Sequence, residues 1–508
     1  MKRILYFAFA ILAVGSLCPA SAAEIAQPAS AVPTVLDAVA TTDLDLDTTF
    51  GSGGWTIADF NDANGMLDQG MRTFSRCTRV NGVCQFPVTY SYYLVGKHAG
   101  GPNWSAVVAR LDENGFPIAS FGSGGKLTVP TSMRVMADVA FDPVAGRLYF
   151  VGAQPVFVTT DLQFSVFCLD LATGAGCVGF GNPGNTQGYQ YVVFDLGGNN
   201  DDIAESVLFD PAGFLYVAGK AASPTGAQIA VAKLSAANGA LVSAFGGIGQ
   251  AHFDIGLRSA DNDVDVLDMA LRNGASLYLA GAYRQPAGDY DGYAFSLEAA
   301  TADQTHLRRI AAESDNLPVP ENDAITAITV LANGDIAMAG YSDTAVARAP
   351  ALLLAKTTPS LVLDDRFCGA GICVKEVGDG AHGWQDTYPR ALAERPGDRD
   401  LVVALQAGTW TYDFAANRFE LREKQVVQQF SASGITLHAS RELEFPAFVD
   451  GSGTDARASF TAGMNVSNGV VELVGSRKWS DSDSDITMTR MLANDAIFAD
   501  RFGGASGD

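Results

Sequence analysis

Short apolar runs that end on a glycine recur along the whole chain. They read YYLVG to Gly96, LYFVG to Gly152, LYVAG to Gly219, LYLAG to Gly281, IAMAG to Gly340, VALQAG to Gly408 and VELVG to Gly475. The intervals are 56, 67, 62, 59, 68 and 67 residues. Several follow a turn and another apolar run, as in SVLFDPAGFLYVAG and AITVLANGDIAMAG. Two extended runs joined by a turn containing Gly or Asn predict a hairpin. A further extended element follows each glycine, as in AVVARLDENG, IAVAKLSAANG and VVQQFSASG. Most units then carry Phe-Gly, at Phe121, Phe180, Phe245, Phe367-Cys368-Gly369 and Phe502. The fourth and sixth units have THLRRIAAES and ITLHASRELEF instead.

Each unit therefore holds about 60 residues and four short extended runs without a helical period. Seven such units predict an all-β fold, a seven-bladed β-propeller with four-stranded blades. One small sheet cannot bury both of its faces, whereas a ring of sheets buries both and leaves no free end. An open solenoid is the alternative, and its end units should be polar caps. The ends here read otherwise. FGSGGWTIADF stands alone at the front, from Phe50 to Phe60, and the last unit stops at DRFGGASGD. The N-terminal run is expected to complete the last blade and close the ring, in one domain spanning residues 43–508.

The stretches LDTTFGSGGWTIADF, LDENGFPIASFGSGGKLTV and FDPAGFLYVAGK resemble the delta-60 repeat proteins of bacteria, over roughly residues 43–502. The match is good in units one to three and weaker beyond. The resemblance implies an exported bacterial protein with a propeller fold. It implies no single activity and brings no catalytic residues, so function has to be argued from the site.

The first 22 residues read as a targeting segment. Lys2 and Arg3 precede the apolar run Ile4 to Leu17, and Ala20-Ser21-Ala22 offers a cleavage site. Leu17 stands where a lipoprotein signal before Cys18 needs a small residue. Residues 23–42 read as a linker. The run is too short for a comfortable span and no later segment reaches 18 apolar residues, so the expectation is a monomer exported to the periplasm or beyond, without membrane insertion. Without the leader the chain has 31 basic against 56 acidic residues, a net charge of −25. That excludes nucleic acid as a natural partner, because phosphate binding needs a basic face. Six cysteines remain, in the close pairs Cys77/Cys84, Cys168/Cys177 and Cys368/Cys373. They predict local disulfides in an exported chain. A metal site is the alternative, though no pair has zinc spacing or a nearby histidine.

The catalytic signatures of metalloproteases, phosphate-binding loops and nucleophile elbows are absent. FGSGG lacks the lysine and helix of a phosphate cradle and repeats as a turn. No cofactor is expected, with calcium as the one candidate. DFNDANGMLD, Asp59 to Asp68, resembles the calcium loop of integrin-type propellers, although Ala63 occupies one ligand position and the glycine comes one residue late. SDSDSD supplies Asp481, Asp483 and Asp485, three carboxylates able to converge on a hard cation.

In this strand order the loop after each second strand and the link between blades open on one face, the loop face. Trp104, Trp410 and Trp479 fall in such loops, Trp384 falls in a link, and Tyr412 lies in the long sixth-unit loop from Gly408 to Lys424. Asp202, Asp323, Asp386 and Asp455 stand at comparable places in the links. Rigid rings flanked by acids suit stacking on sugars or gripping a cationic partner. The same residues also suit packing under loops and turn capping. Three functions fit: a non-catalytic binder of a glycan or protein, a propeller hydrolase or lyase with acids at the channel, and a structural envelope protein.

Overall fold

A computed structural model describes residues 34–37 and 44–492, with breaks at 61–66, 81–82, 85–88, 100, 156–160, 182–186, 198–200, 256–262, 286–287, 313–321, 344–349, 376, 378–384, 414–417, 445–458, 468–469 and 481–482. Within them the chain is all-β, with no helix. Seven antiparallel sheets follow one another. Their first strands are Asp68–Cys77, Val135–Asp142, Ile203–Asp210, Val264–Arg272, Asp323–Val330, Gln385–Glu394 and Ser459–Ser467. Each first strand packs against the first strands of the next and previous sheets, and the seventh packs against the first. The sheets are the blades of a closed seven-bladed propeller, and the first strands surround its axis.

The core is divided as the ring requires. Seven hydrophobic clusters occur among the described residues, and each lies between two adjacent blades. Tyr149, Phe150, Tyr216, Phe245, Tyr293 and Phe295 are fully buried in these seams. Burying one such ring stabilises by about 1.5–3 kcal/mol.

Closure comes from the front of the chain, as expected. Trp55–Ala58 lies antiparallel to Asp483–Leu492, the third strand of blade 7, with Trp55 opposite Thr489 and Ala58 opposite Ile486. Asp45–Leu46 extends the same pairing to Met491 and Leu492. Arg490 fastens this clasp. Its Nε and Nη2 donate to Asp47 at 2.8 and 2.6 Å. Its Nη1 donates to the Glu113 carbonyl in blade 1 at 2.9 Å, and its guanidinium lies 4.4 Å from the Phe50 ring centroid. The solenoid alternative is thereby excluded. Ahead of the clasp, Thr34–Asp37, within the stretch 23–42, pairs with Leu437–Glu444 as a fifth strand on blade 6.

The recurring glycines have one cause. Every first strand carries a β-bulge at the same place, with Met71, Ala137, Glu205, Leu267, Thr326, Arg390 and Ala462 as the extra residues. Six of the glycines lie opposite the residue just before the bulge, where a Cβ has no room. At Gly281 and Gly340 it would stand 1.8 Å from the carbonyl oxygens of Asp265 and Ala324. The sixth blade corrects the sequence reading. There Leu405, not Gly408, faces the bulge, opposite Pro389.

The Phe-Gly turn is equally regular. Phe50, Phe180, Phe245 and Phe367 are buried, and the following residue donates its N–H to a turn of the next blade. The acceptors are the carbonyls of Asn114 for Gly51, Asn238 for Gly181, Thr301 for Gly246 and Ser433 for Cys368. Cys368 holds a φ of 51°, a glycine's conformation, and is bonded to Cys373 across the turn. Cys168 and Cys177 form a second bond, with Cα atoms 5.4 Å apart. Cys77 ends the first strand of blade 1 and Cys84 lies on the short hairpin after it; the Cys84 side chain lies outside the described residues. Non-reducing peptide mapping should recover Cys168–Cys177 and Cys368–Cys373 as local links. Free thiols at these four positions in freshly purified protein would refute both.

Candidate binding site at the mouth of the central channel

Both faces of each blade are covered by neighbours, so an exposed residue on a first strand can meet water only along the axis. Ala137 is exposed and Leu267 is 38 % exposed. Ala137 and Leu267 therefore line the channel, just below the loop face where the first strands begin, whereas Met71 is buried in the seam between blades 1 and 2. Two of the seven bulged residues are charged. Glu205 belongs to blade 3 and Arg390 to blade 6.

The Glu205 wall is a polar cluster between blades 3 and 4. Lys220, the residue after Gly219, has its Nζ 3.4 Å from Glu205 Oε1, 3.7 Å from Asp263 Oδ1 and in contact with Asp265 Oδ1. Tyr290 donates to Asp263 and Tyr293 to the Asp265 carbonyl, both at 3.0 Å. Glu205 Oε2 accepts the Val266 N–H at 2.8 Å. Burial raises the Glu205 pKa and the Asp265 charge raises it further, against the pull of Lys220. Burial works against the Lys220 charge, but Glu205 and Asp265 outweigh it and hold the ammonium protonated. Three carboxyl groups thus share one cation.

Blades 5 and 6, the next round the ring, are aromatic and basic there. Tyr341, the residue after Gly340, meets Tyr388 edge to face, with ring centroids 5.3 Å apart. Burial pushes the Tyr341 hydroxyl up to about 12, with Asp343 adding to it and Arg390 opposing. Burial also lowers the Arg390 pKa, and an arginine stays protonated at neutral pH even so.

One residue deeper, a side-chain bridge crosses the channel. Arg72 of blade 1 makes two bonds to Asp138 of blade 2, at 2.7 and 3.0 Å. Its Nη2 also lies 3.8 Å from Asp268 of blade 4, across the ring. Asp138 and Asp268 in turn accept the N–H groups of Val207 and Ile328 in the next blades, at 3.1 and 3.0 Å. Carboxylates thus staple blade 2 to 3, 3 to 4 and 4 to 5, and one arginine side chain spans the channel.

The described residues among those singled out from the sequence lie away from this cluster. Trp104 opens the third strand of blade 1, half-buried, with Lys97 Nζ 4.7 Å from its ring centroid. The strand registers place Trp410 opposite Leu421 and Tyr412 opposite Phe419. These positions belong to a ribbon that runs beyond Gln385, where the first strand of blade 6 begins. Trp479 sits at a register shift in blade 7. The side chains of Trp410, Tyr412, Trp479, Asp386 and Asp483 lie outside the described residues, as do Trp384, Asp455 and Asp481 altogether.

Asp202 and Asp323 are buried in the blade links, where they accept the N–H groups of Phe194 and Ala312 at 2.8 and 3.0 Å. Asp68 does the same for Phe60. Burial pushes Asp202 up to about 6. The two acidic stretches considered for calcium meet at the clasp, where carboxylate oxygens of Asp59, Asp68 and Asp485 lie within 4.8 Å of one another. His98 Nδ1 is 2.6 Å from Asp68, and Arg477 faces Asp485 in register.

Glu205, Lys220, Arg390, Tyr341 and Tyr388 drew no notice in the sequence, whereas Asp265 belongs to the acidic run DNDVDVLD from Asp261 to Asp268. The repeat alignment held the signal, because two of them follow the repeated glycine and two sit at the bulge.

No family model matches the chain, and no curated protein matches its sequence. Solved structures do. The crystal structure of polysaccharide lyase Uly1 is 9 % identical, over 83 % of this chain and 90 % of that one, with a TM-score of 0.42. Quinohemoprotein alcohol dehydrogenase from Comamonas testosteroni is 10 % identical, over 85 % and 76 %, with a TM-score of 0.42. The β-propeller domain of the Trilobed protease from Pyrococcus furiosus is 6 % identical, over 83 % and 98 %, with a TM-score of 0.37. Likeness at this level says nothing about activity, and the propeller assignment rests on this chain's own sheet topology.

Proposed function

We propose that this chain is an exported, non-catalytic binding propeller of the delta-60 type, and that a glycan or protein partner docks at the loop-face mouth of its channel. One observation carries the reading: near the start of the first strands, blades 3 and 4 gather three carboxyl groups around Lys220, and blades 5 and 6 bring Tyr341, Tyr388 and Arg390 together. Buried charges are costly unless paired, so charged groups gathered around the channel are suited to a ligand. The test uses the full chain in a glycan array and an envelope-extract pull-down. Glu205→Gln, Arg390→Met and Tyr388→Ala should each reduce capture at least tenfold, with melting temperatures showing that they fold. Val178→Ser, at an exposed residue of a turn between third and fourth strands, should capture like the parent. Mouth variants that bind like the parent would sink the assignment.

A hydrolase or lyase is the second reading. The raised pKa of Glu205, from its burial and the neighbouring Asp265 charge, favours it, because a carboxyl kept protonated is suited to act as a general acid. Cleavage of a captured glycan by the parent and not by Glu205→Gln would establish it.

A further inference from the structure

We propose that Lys97 is a nucleophilic amine, a site in the seam between blades 1 and 2 where a small apolar aldehyde condenses with the chain. This goes beyond the binding function above and does not depend on it. One position compared in two blades points to it. Lys97 follows Gly96 as Lys220 follows Gly219, so both stand at the same place on a second strand. Lys220 is ringed by Glu205 of its own blade and by Asp263 and Asp265 of the next. Counted from the bulges, the places of those three carboxyls fall around Lys97 to Met71, Met133 and Val135.

Met71, Met133 and Met136 are buried in one apolar cluster, and Trp104 packs against it. Lys97 is half-buried beside them. Its Nζ donates to the Met136 carbonyl at 2.7 Å and lies 4.7 Å from the Trp104 ring centroid. Gln69 and Ala106 stand opposite it on the neighbouring strands. The charges on the strands around it are engaged elsewhere, His98 with Asp68 and Arg72 with Asp138, and Arg134 is exposed. Among the described residues no carboxylate pairs with the Lys97 ammonium. An ammonium taken from water without a counter-charge yields to the neutral amine, and burial lowers the Lys97 pKa to about 8. The neutral amine is the form that attacks a carbonyl. The Nζ lone pair forms a bond to the carbonyl carbon, the C–O bond breaks, and the oxygen leaves as water with both amine hydrogens. An imine remains. Apolar side chains and an indole ring suit a hydrocarbon or aromatic aldehyde better than a charged one.

The test incubates the full chain with dilute benzaldehyde to equilibrium, quenches with borohydride, and measures the yield at each lysine by peptide mass spectrometry. Near neutral pH the yield at Lys97 should exceed that at Lys220 at least tenfold. It should rise with pH and level off above about pH 8, whereas the yield at Lys220, held protonated by its carboxyl groups, should still be climbing there. Benzaldehyde should outdo the anionic aldehyde glyoxylate at Lys97. Val135→Asp, which restores the carboxyl found at this place beside Lys220, should cut the Lys97 yield at least tenfold near neutral pH. If Val135→Asp does not fold, the yields in the parent decide alone. Equal yields at Lys97 and Lys220, or a Lys97 yield that never levels off, overturns the proposal. An unchanged yield in folded Val135→Asp also overturns it, because the apolar surroundings would then not set the reactivity. A lead for glyoxylate overturns the apolar class of aldehyde.

Discussion

Deletion of residues 43–60 should leave a chain that no longer unfolds cooperatively and that aggregates at working concentrations. The segment buries Leu44, Phe50, Trp55 and Phe60, together about 8 kcal/mol of burial at roughly 2 kcal/mol each. That compares with a typical total stability of about 5–15 kcal/mol. Its loss also bares the edge of Asp483–Leu492, a ready template for another chain, and leaves Arg490 without Asp47. A deletion variant that stays monomeric with the parent's melting temperature would refute the closed ring. A gentler probe is Asp47→Asn. Burial raises the Asp47 pKa, but bonds from Thr49 and Arg490 and the Arg490 charge outweigh it, and the net shift is downward. A carboxylate with a depressed folded pKa stabilises fully above its unfolded pKa of about 3.9, and that stability is lost as pH falls through the folded value. The gap in stability between parent and Asp47→Asn should be constant at neutral pH and close under acid. A gap unchanged at the lowest pH would assign the effect to packing.

Gly281→Ala should destabilise by about 3 kcal/mol or more, beyond the usual range for adding one methyl group to a well-packed site. The new Cβ would stand 1.8 Å from the Asp265 carbonyl oxygen and 3.1 Å from the Tyr293 ring. Relief would have to come from the bulge, which also places Asp265 against Lys220. Gly274→Asn is the control. Gly274 has a φ of 67°, and a Cβ added there would meet no atom within 4 Å. Asparagine tolerates that backbone conformation. It should cost less than about 1 kcal/mol. Chemical denaturation of both variants checks the pair, and equal losses would show that the bulge does not impose the glycine.

The same glycines explain what the sequence could disclose. The bulge imposes glycine on the facing strand, so the architecture is written as a repeat that can be read without knowing the bulge exists. Blade 6 escaped because Leu405 faces Pro389 there, and Gly408 three residues on gave a false match. The clasp was legible for a related reason: FGSGG needs positive φ at Gly51, Gly53 and Gly54 as at Gly122, Gly124 and Gly125, so the same turn appears twice. The mouth was not legible. Glu205, Lys220 and Arg390 are single charges inside apolar strands, Asp265 is one acid among several in DNDVDVLD, and only the ring brings them together. Asp202 and Asp323, prominent in the sequence, prove to hold the links between blades.

The Arg490–Asp47 clasp joins residues 443 positions apart, and this has a kinetic consequence. Each blade is a set of neighbouring hairpins that can form early. The closing contact bears the full loop entropy of the chain and comes last. Until blade 7 has been made, the N-terminal strand has no third strand to join and the edge of blade 1 stays open. Refolding should therefore show a fast phase of strand formation and a slower one of closure, with added synthetic clasp peptide competing only in the second.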